Sequence, residues 1–150
     1  MEKIGKNILE TLTELTQFVN DGREGYARAA KESKNPQTEQ IYRMFSSQRA
    51  EFGSELNNLI RSHGGEPEFD TTAKGKLYRG WMDVKASLTG SDEEAILNAN
   101  LYGEEWAQKA YQEALEDSSL PASIRSVIQR QQQASLETYQ QLLQLKNSVA

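Results

Sequence analysis

Residues 98–115, NANLYGEEWAQKAYQEAL, carry the pattern that decides the fold. Small and apolar side chains recur there at steps of three and four, which places them on one face of a helix that packs against other helices. That face consists of Ile96, Ala99, Gly103, Ala107, Ala110 or Tyr111, and Ala114. Beside Gly103, its smallest residue, stands the carboxylate of Glu104. A carboxylate at that depth needs a partner, because burying an unpaired charge is costly.

Three further segments carry the same helical periodicity, as the helices of a bundle require. The Asn35–Pro36 pair is typical of a helix start, and Gly64–Gly65 of a helix end. Ser91 and Glu94 form a capping box before the helix that contains Glu104. The four long helices are predicted at about residues 4–33, 36–63, 91–116 and from 121 onward.

Two glycines, Gly22 and Gly25, lie within the first predicted helix. Each costs about 1 kcal/mol relative to alanine in a helix interior. The apolar periodicity continues through both, which favours an unbroken helix with a neighbour packed against the bare backbone. A helix break at this point is the alternative.

The lengths of the connections predict the topology. Short turns join the first helix to the second and the third to the fourth, so each pair is antiparallel. Between the second and third helices, residues 73–88 predict a shorter helix, which spans roughly 24 Å at 1.5 Å per residue. That length returns the chain along the bundle, so the third helix runs parallel to the second. We therefore predict one all-α domain over residues 1–150, a ferritin-like four-helix bundle with a helical long crossover. The plain up-down-up-down bundle is the alternative.

The composition excludes several classes of protein. The 150 residues carry 17 Lys and Arg against 22 Asp and Glu, a formal charge of -5, which argues against a nucleic-acid surface. Cysteine is absent, which excludes disulfides and thiolate sites. No apolar run approaches the roughly 20 residues that a membrane helix needs, and the first residues lack a signal-peptide pattern. We expect a cytoplasmic protein that binds neither membrane nor nucleic acid.

The helix midpoints fall at one level of the predicted bundle and bring polar side chains into one layer. Charged residues placed inside a protein are expected to be paired. Such a buried network is tolerated only when every member is satisfied. The predicted buried polar layer consists of Asp21, Tyr26, Gln48, Arg49, Glu104, Tyr111 and Gln131.

Two interpretations of this layer stay open. The first is a metal site, since ferritin-like di-iron sites take a Glu from two helices and a Glu-x-x-His pair from each of the others. The chain contains one histidine, His63, and no Glu-x-x-His, so only a weaker site for a hard cation is left, with Asp21, Glu55 and Glu104 as ligands. The second, which the residue types favour, is an ion pair of Arg49 with Glu104 or Asp21 that sets the register of the helices.

Five motifs in order resemble a family of bacterial ferritin-like four-helix-bundle proteins classed as a domain of unknown function. The resemblance covers nearly the whole chain and implies a ferritin-like bundle and a link to stress physiology, without an established activity. The motifs are Asp21-x-x-x-Gly25-Tyr26, Gln48-Arg49-x-x-Phe52-x-x-Glu55-Leu56, His63-Gly64-Gly65-x-Pro67, Gly75-x-Leu77-Tyr78-Arg79-Gly80-Trp81-Met82, and Gly103-Glu104 followed by Tyr111.

The sequence departs from the pattern of that family at two places. The pattern has histidine where this chain has Tyr78, and another histidine late in the last helix, near Glu137 or Thr138. If those histidines bind metal in the relatives, the resemblance implies that this member has lost the site. Only Glu55, Glu104 and Asp21 carry over as ligands.

These observations lead to one preferred function and one alternative. We expect a non-enzymatic ferritin-like bundle with a structural, interaction or stress-related role, a degenerate metal site and no cofactor. The alternative is an iron-binding protein with an atypical carboxylate site. The last helix presents a wide arc of leucines, which predicts a homo-oligomer formed through helix faces. These leucines are Leu136, Leu142, Leu143 and Leu145.

Overall fold

The computed structural model describes residues 7–72 and 92–149, which form four long helices and no strand. The predicted helix at 73–88, the motif around Tyr78 and the cap at Ser91 lie outside the described residues, as does the predicted helix start at Ile4. The helices are α1, Ile8–Glu32; α2, Pro36–Ser62; α3, Asp92–Leu115; and α4, Ala122–Val149.

The helix ends follow from local hydrogen bonds. Asn7 and Glu10 form a capping box at the start of α1, in which the Glu10 N–H donates to Asn7 Oδ1 at 2.8 Å. Asn35 caps α2 by accepting from the Gln37 N–H at 2.8 Å. Gly64 follows the end of α2 with a φ of 84°, a left-handed conformation that glycine adopts without strain.

Helix α1 continues without a break through both of its central glycines, so the alternative of a helix break there is wrong. A β-carbon on Gly22 would lie 3.3 Å from Nη1 of Arg49 on α2. The bare backbone at Gly22 therefore gives the Arg49 side chain room to cross into the bundle, which explains the glycine in mid-helix.

Contacts near the helix ends fix the directions of three helices. At one end, Glu93 at the start of α3 accepts hydrogen bonds from Ser33 after α1 and from Thr38 at the start of α2, at 2.9 and 3.1 Å. At the other end, Thr11 near the start of α1 donates to Asp117, just after α3, at 2.7 Å. Helices α2 and α3 therefore begin at the same end and run in the same direction, opposite to α1.

Apolar residues fill the bundle in two clusters, one on each side of a polar middle. One cluster includes Leu12, Leu15, Phe52, Leu56, Ile124 and Ile128. The other includes Ala29, Tyr42, Phe45, Ile96, Leu97 and Leu142.

None of the described helices is long and apolar enough to cross a membrane.

Candidate functional site: a buried ion-pair network in the bundle

Arg49 and Glu104 meet in the middle of the bundle, where the side chains are 2% and 0% exposed. Arg49 lies between Phe45 and Phe52 on the buried face of α2, so helical spacing alone directs it inward. Glu104 stands on the buried face of α3 beside Gly103. Nη2 of Arg49 donates to Oε2 of Glu104 at 2.5 Å. This contact is a charge-assisted hydrogen bond, the stronger kind in proteins.

Both carboxylate oxygens of Glu104 accept hydrogen bonds. Oε2 accepts from the Tyr26 hydroxyl on α1 as well as from Arg49 on α2. Oε1 accepts from the Ser135 hydroxyl on α4 at 2.5 Å. The carboxylate on α3 thus has a donor from each of the other three helices, and its charge is both neutralised and solvated by the protein.

Aromatic rings enclose the Arg49 guanidinium. Its central carbon lies 5.5 Å from the centre of the Tyr26 ring and 6.0 Å from that of Phe52, distances at which a cation is attracted to a ring face. Burial lowers the pKa of Arg49, but the charge of Glu104 and the neighbouring tyrosines more than offset this effect and raise it. The guanidinium is therefore the resident cation of the site.

The tyrosine at the site stays protonated. Burial raises the pKa of Tyr26 well above its usual range, and the negative charge of Glu104 raises it further. Tyr26 is consequently a hydrogen-bond donor at neutral pH. Its protonated hydroxyl therefore does not act as a base or a nucleophile at neutral pH.

A second polar group extends from the interior toward the surface between α2 and α4. The Tyr111 hydroxyl donates to Oε1 of Gln131 at 3.0 Å, and Nε2 of Gln131 donates to Oε1 of Glu55 at 2.7 Å. Glu55 also pairs with the exposed Arg130. Glu55 thus has its own cation and is not a partner of Glu104.

The residues of the predicted buried polar layer belong to separate hydrogen-bonded groups in the structure. Tyr26, Arg49 and Glu104 form one network, whereas Tyr111 and Gln131 belong to the group that reaches Glu55.

The remaining predicted members lie apart from both. Gln48 is half-buried and accepts from Thr138 at 3.4 Å. Asp21 is buried but accepts from the backbone N–H of Thr72 at 3.3 Å, so of the two carboxylates considered for Arg49, the structure pairs it with Glu104.

Two members of the Glu104 network were missed from the sequence. Ser135 lies on the buried face of α4, and Gln108 on α3 donates to its hydroxyl at 2.7 Å. Gln108 also reaches the backbone carbonyl of Gln132, at 3.4 Å. The available signal was helical spacing, which puts Ser135 on the same buried face of α4 as Ile128, Gln131 and Leu142.

The three carboxylates considered as metal ligands are held by different partners. Glu104 is bound to Arg49, Glu55 to Arg130 and Gln131, and Asp21 to Thr72. Across residues 7–72 and 92–149, no group of three or more His, Asp or Glu side chains is arranged to hold a metal ion. A carboxylate and histidine di-iron centre does not fit these residues, because the centre of the bundle holds a guanidinium and hydroxyl donors.

Comparison with known proteins gives a family and no activity. A family model described as "Domain of unknown function (DUF2383)" matches residues 7–117, about three quarters of the chain. The match includes α1, α2 and α3 and therefore Tyr26, Arg49 and Glu104. None of the curated proteins compared with the sequence matches it.

Proposed function

The chain belongs to this DUF2383 family, and we propose that it is a non-enzymatic ferritin-like bundle in which an internal ion pair replaces the metal centre. Its role is structural or interaction-based. The single observation that carries the proposal is the contact of Arg49 Nη2 with Glu104 Oε2 at 2.5 Å in a fully buried setting. A cation already bound at the carboxylate opposes the binding of a second one.

The helix directions support the ferritin-like assignment. Helices α2 and α3 run in the same direction, as judged from the contacts of Glu93 with Ser33 and Thr38. Two parallel helices that follow each other in sequence need a long connection, and a four-helix bundle with one such connection is the ferritin-like arrangement. The 29 residues between the end of α2 and the start of α3 (63–91) are enough for such a connection.

The donor set supports a role without catalysis. Three of the about four lone-pair sites of the Glu104 carboxylate accept from Arg49, Tyr26 and Ser135, and the tyrosine is held in its protonated form. A general base needs a free lone pair near a reacting group, and a metal ligand needs one directed at the ion. The network instead ties all four helices to one carboxylate, which suits a group that fixes helix register.

The physiological setting extends the proposal. We propose a stress-related role in a bacterium, which the resemblance of the five sequence motifs implies, and a cytoplasmic location, with which a sequence without cysteine is compatible. We also propose that a second copy binds at α4, where Leu136 and Leu143 are each 38% exposed. A single-chain mass in light scattering at high protein concentration would contradict this dimer.

Metal titration tests the central proposal against the alternative, iron bound at an atypical carboxylate site. Purified protein is titrated anaerobically with Fe(II), and binding is followed by calorimetry and by metal analysis after desalting. Wild type and Glu104→Ala are expected to retain less than one iron per chain and to behave alike. Stoichiometric iron in wild type that is lost in Glu104→Ala would overturn the proposal. Glu105→Ala, an exposed neighbour on α3, is the matched control.

A further inference from the structure

The segment 66–72 after α2 lies against α1 and α2 and is called the strap here. Asn57 on α2 holds it with two hydrogen bonds to the Glu68 backbone, at 2.7 Å from the N–H and 3.0 Å to the carbonyl. Asn20 on α1 donates to the carbonyl of Asp70 at 2.9 Å. Amide side chains from two helices therefore fix the strap by its backbone.

Asp21 lies beneath the last residue of the strap and is 0% exposed. Oδ1 accepts from the Thr72 N–H at 3.3 Å. Within the described part of the chain, Oδ2 of Asp21 is buried and without a hydrogen-bond partner. Burying an ionised carboxylate that accepts only one long hydrogen bond costs free energy. Burying the protonated carboxyl group costs much less.

Among the described residues, the charged groups around Asp21 do not neutralise it. Glu24 on the same helix adds a negative charge. The strap carries two more carboxylates, but Glu68 accepts from Gln17 and Asp70 is exposed. On α2, Arg49 passes against Gly22 but is committed to Glu104. No cation of the described residues forms an ion pair with Asp21.

We propose that Asp21 is a proton-operated latch for the strap: a proton on Asp21 favours the closed strap, and its loss favours an opened one. The latch gives the bundle a response to pH and is independent of the ion pair at Glu104. The pKa of Asp21 agrees with it. Burial raises this pKa from 3.8 to about 6, although hydrogen bonding from Thr72 acts in the opposite direction. Opening the strap exposes Asp21 to water and returns its pKa toward the lower value.

Amide hydrogen exchange measures the latch in the full-length protein. The protection factors of the Glu68, Asp70 and Thr72 amides are followed by NMR, after correction for the pH dependence of intrinsic exchange. Linkage with the two pKa values gives about a tenfold rise in protection on going from about pH 7.5 to about pH 5. The Asp21→Asn variant, which mimics the protonated acid, is expected to show no such rise. Asp70→Asn, in the same strap but exposed, is expected to keep it.

Three results would overturn the latch. The first is a wild-type strap whose protection does not change with pH, and the second is a rise that persists in Asp21→Asn. The third comes from a measurement that needs no variant, the carboxyl carbon NMR titration of Asp21 in wild type. A midpoint near 6 supports the latch, and a midpoint at the ordinary value of 3.8 contradicts it.

Discussion

Glu104 and Asp21 are both carboxylates with no exposed surface, and they lie on neighbouring helices of the same bundle. Glu104 accepts from Arg49, Tyr26 and Ser135, so both of its oxygens are used and its charge is balanced. Asp21 accepts one backbone N–H at 3.3 Å, and its other oxygen has no partner among the described residues. Depth alone therefore does not decide the protonation state of a buried acid; the donors around it do.

The difference arises from the hydrogen-bond donors that the neighbouring elements present to each carboxylate. Helix α2 brings a long cation to Glu104 across the bare backbone of Gly22. Asp21, one residue earlier on α1, meets the strap, whose Thr72 offers a backbone N–H and a small hydroxyl. One carboxylate is therefore a permanent part of the ion-pair network, and the other has a pKa that burial raises to about 6.

The largest effect is expected from removing the cation of the Glu104 network. Arg49→Met keeps much of the side-chain volume but leaves Glu104 buried without a counter-charge. Loss of one partner of a buried ion pair costs about 3–5 kcal/mol. The free energy of unfolding, measured by urea denaturation at neutral pH, is expected to fall by this amount.

A surface arginine provides the control for that variant. Arg43 on the same helix pairs with Glu39, but its side chain is 66% exposed. Arg43→Met is expected to change stability by less than about 0.5 kcal/mol, as is usual for exposed pairs. Equal effects of the two substitutions would remove the distinction between the buried network and an ordinary surface pair.

The second effect concerns the pH dependence caused by Asp21. Because the folded chain holds this proton up to about pH 6 and the unfolded chain only to about 3.8, unfolding releases a proton between these values. The contribution of Asp21 to the free energy of unfolding therefore falls as pH rises from about 4 to about 6, by at most about 3 kcal/mol. Urea denaturation of wild type and Asp21→Asn across this range isolates it as a difference. Parallel pH profiles would contradict the assignment.

A smaller effect is expected from removing one donor of Glu104. Ser135→Ala deletes the hydroxyl that donates to Oε1 and leaves Arg49 and Tyr26 in place. Loss of a hydrogen bond to a charged group costs about 2 kcal/mol. Ser126→Ala, an exposed position on the same helix, is expected to be neutral in the same denaturation assay. A neutral Ser135→Ala would mean that the carboxylate does not depend on this donor.

Within the described residues, the sequence was sufficient for the four long helices and for the burial of Arg49 and Glu104. Helical spacing alone placed Arg49 between Phe45 and Phe52, and Glu104 beside Gly103, on buried faces. Spacing could not decide between Glu104 and Asp21 as the partner of Arg49, because the arginine side chain is long and both carboxylates lie at one level of the bundle. That choice depends on how each helix is rotated about its own axis, which no local pattern records.

Two further features were beyond sequence reasoning for different reasons. Ser135 was missed as a donor because a buried serine hydroxyl can also bond to the backbone of its own helix, so its position does not reveal its partner. The contact of Thr72 with Asp21 joins residues 51 positions apart through a loop, and loops have no periodicity to place them. The sequence therefore predicted which residues are buried better than it predicted their partners.

The most direct measurement of the central claim is a double-mutant cycle on the ion pair. The free energies of unfolding of wild type, Arg49→Met, Glu104→Gln and the double variant are compared under one condition. If Arg49 is the resident cation of Glu104, the double variant is more stable than Arg49→Met alone, and the coupling energy is at least about 2 kcal/mol. A coupling energy near zero, with the two single effects adding, would contradict the account.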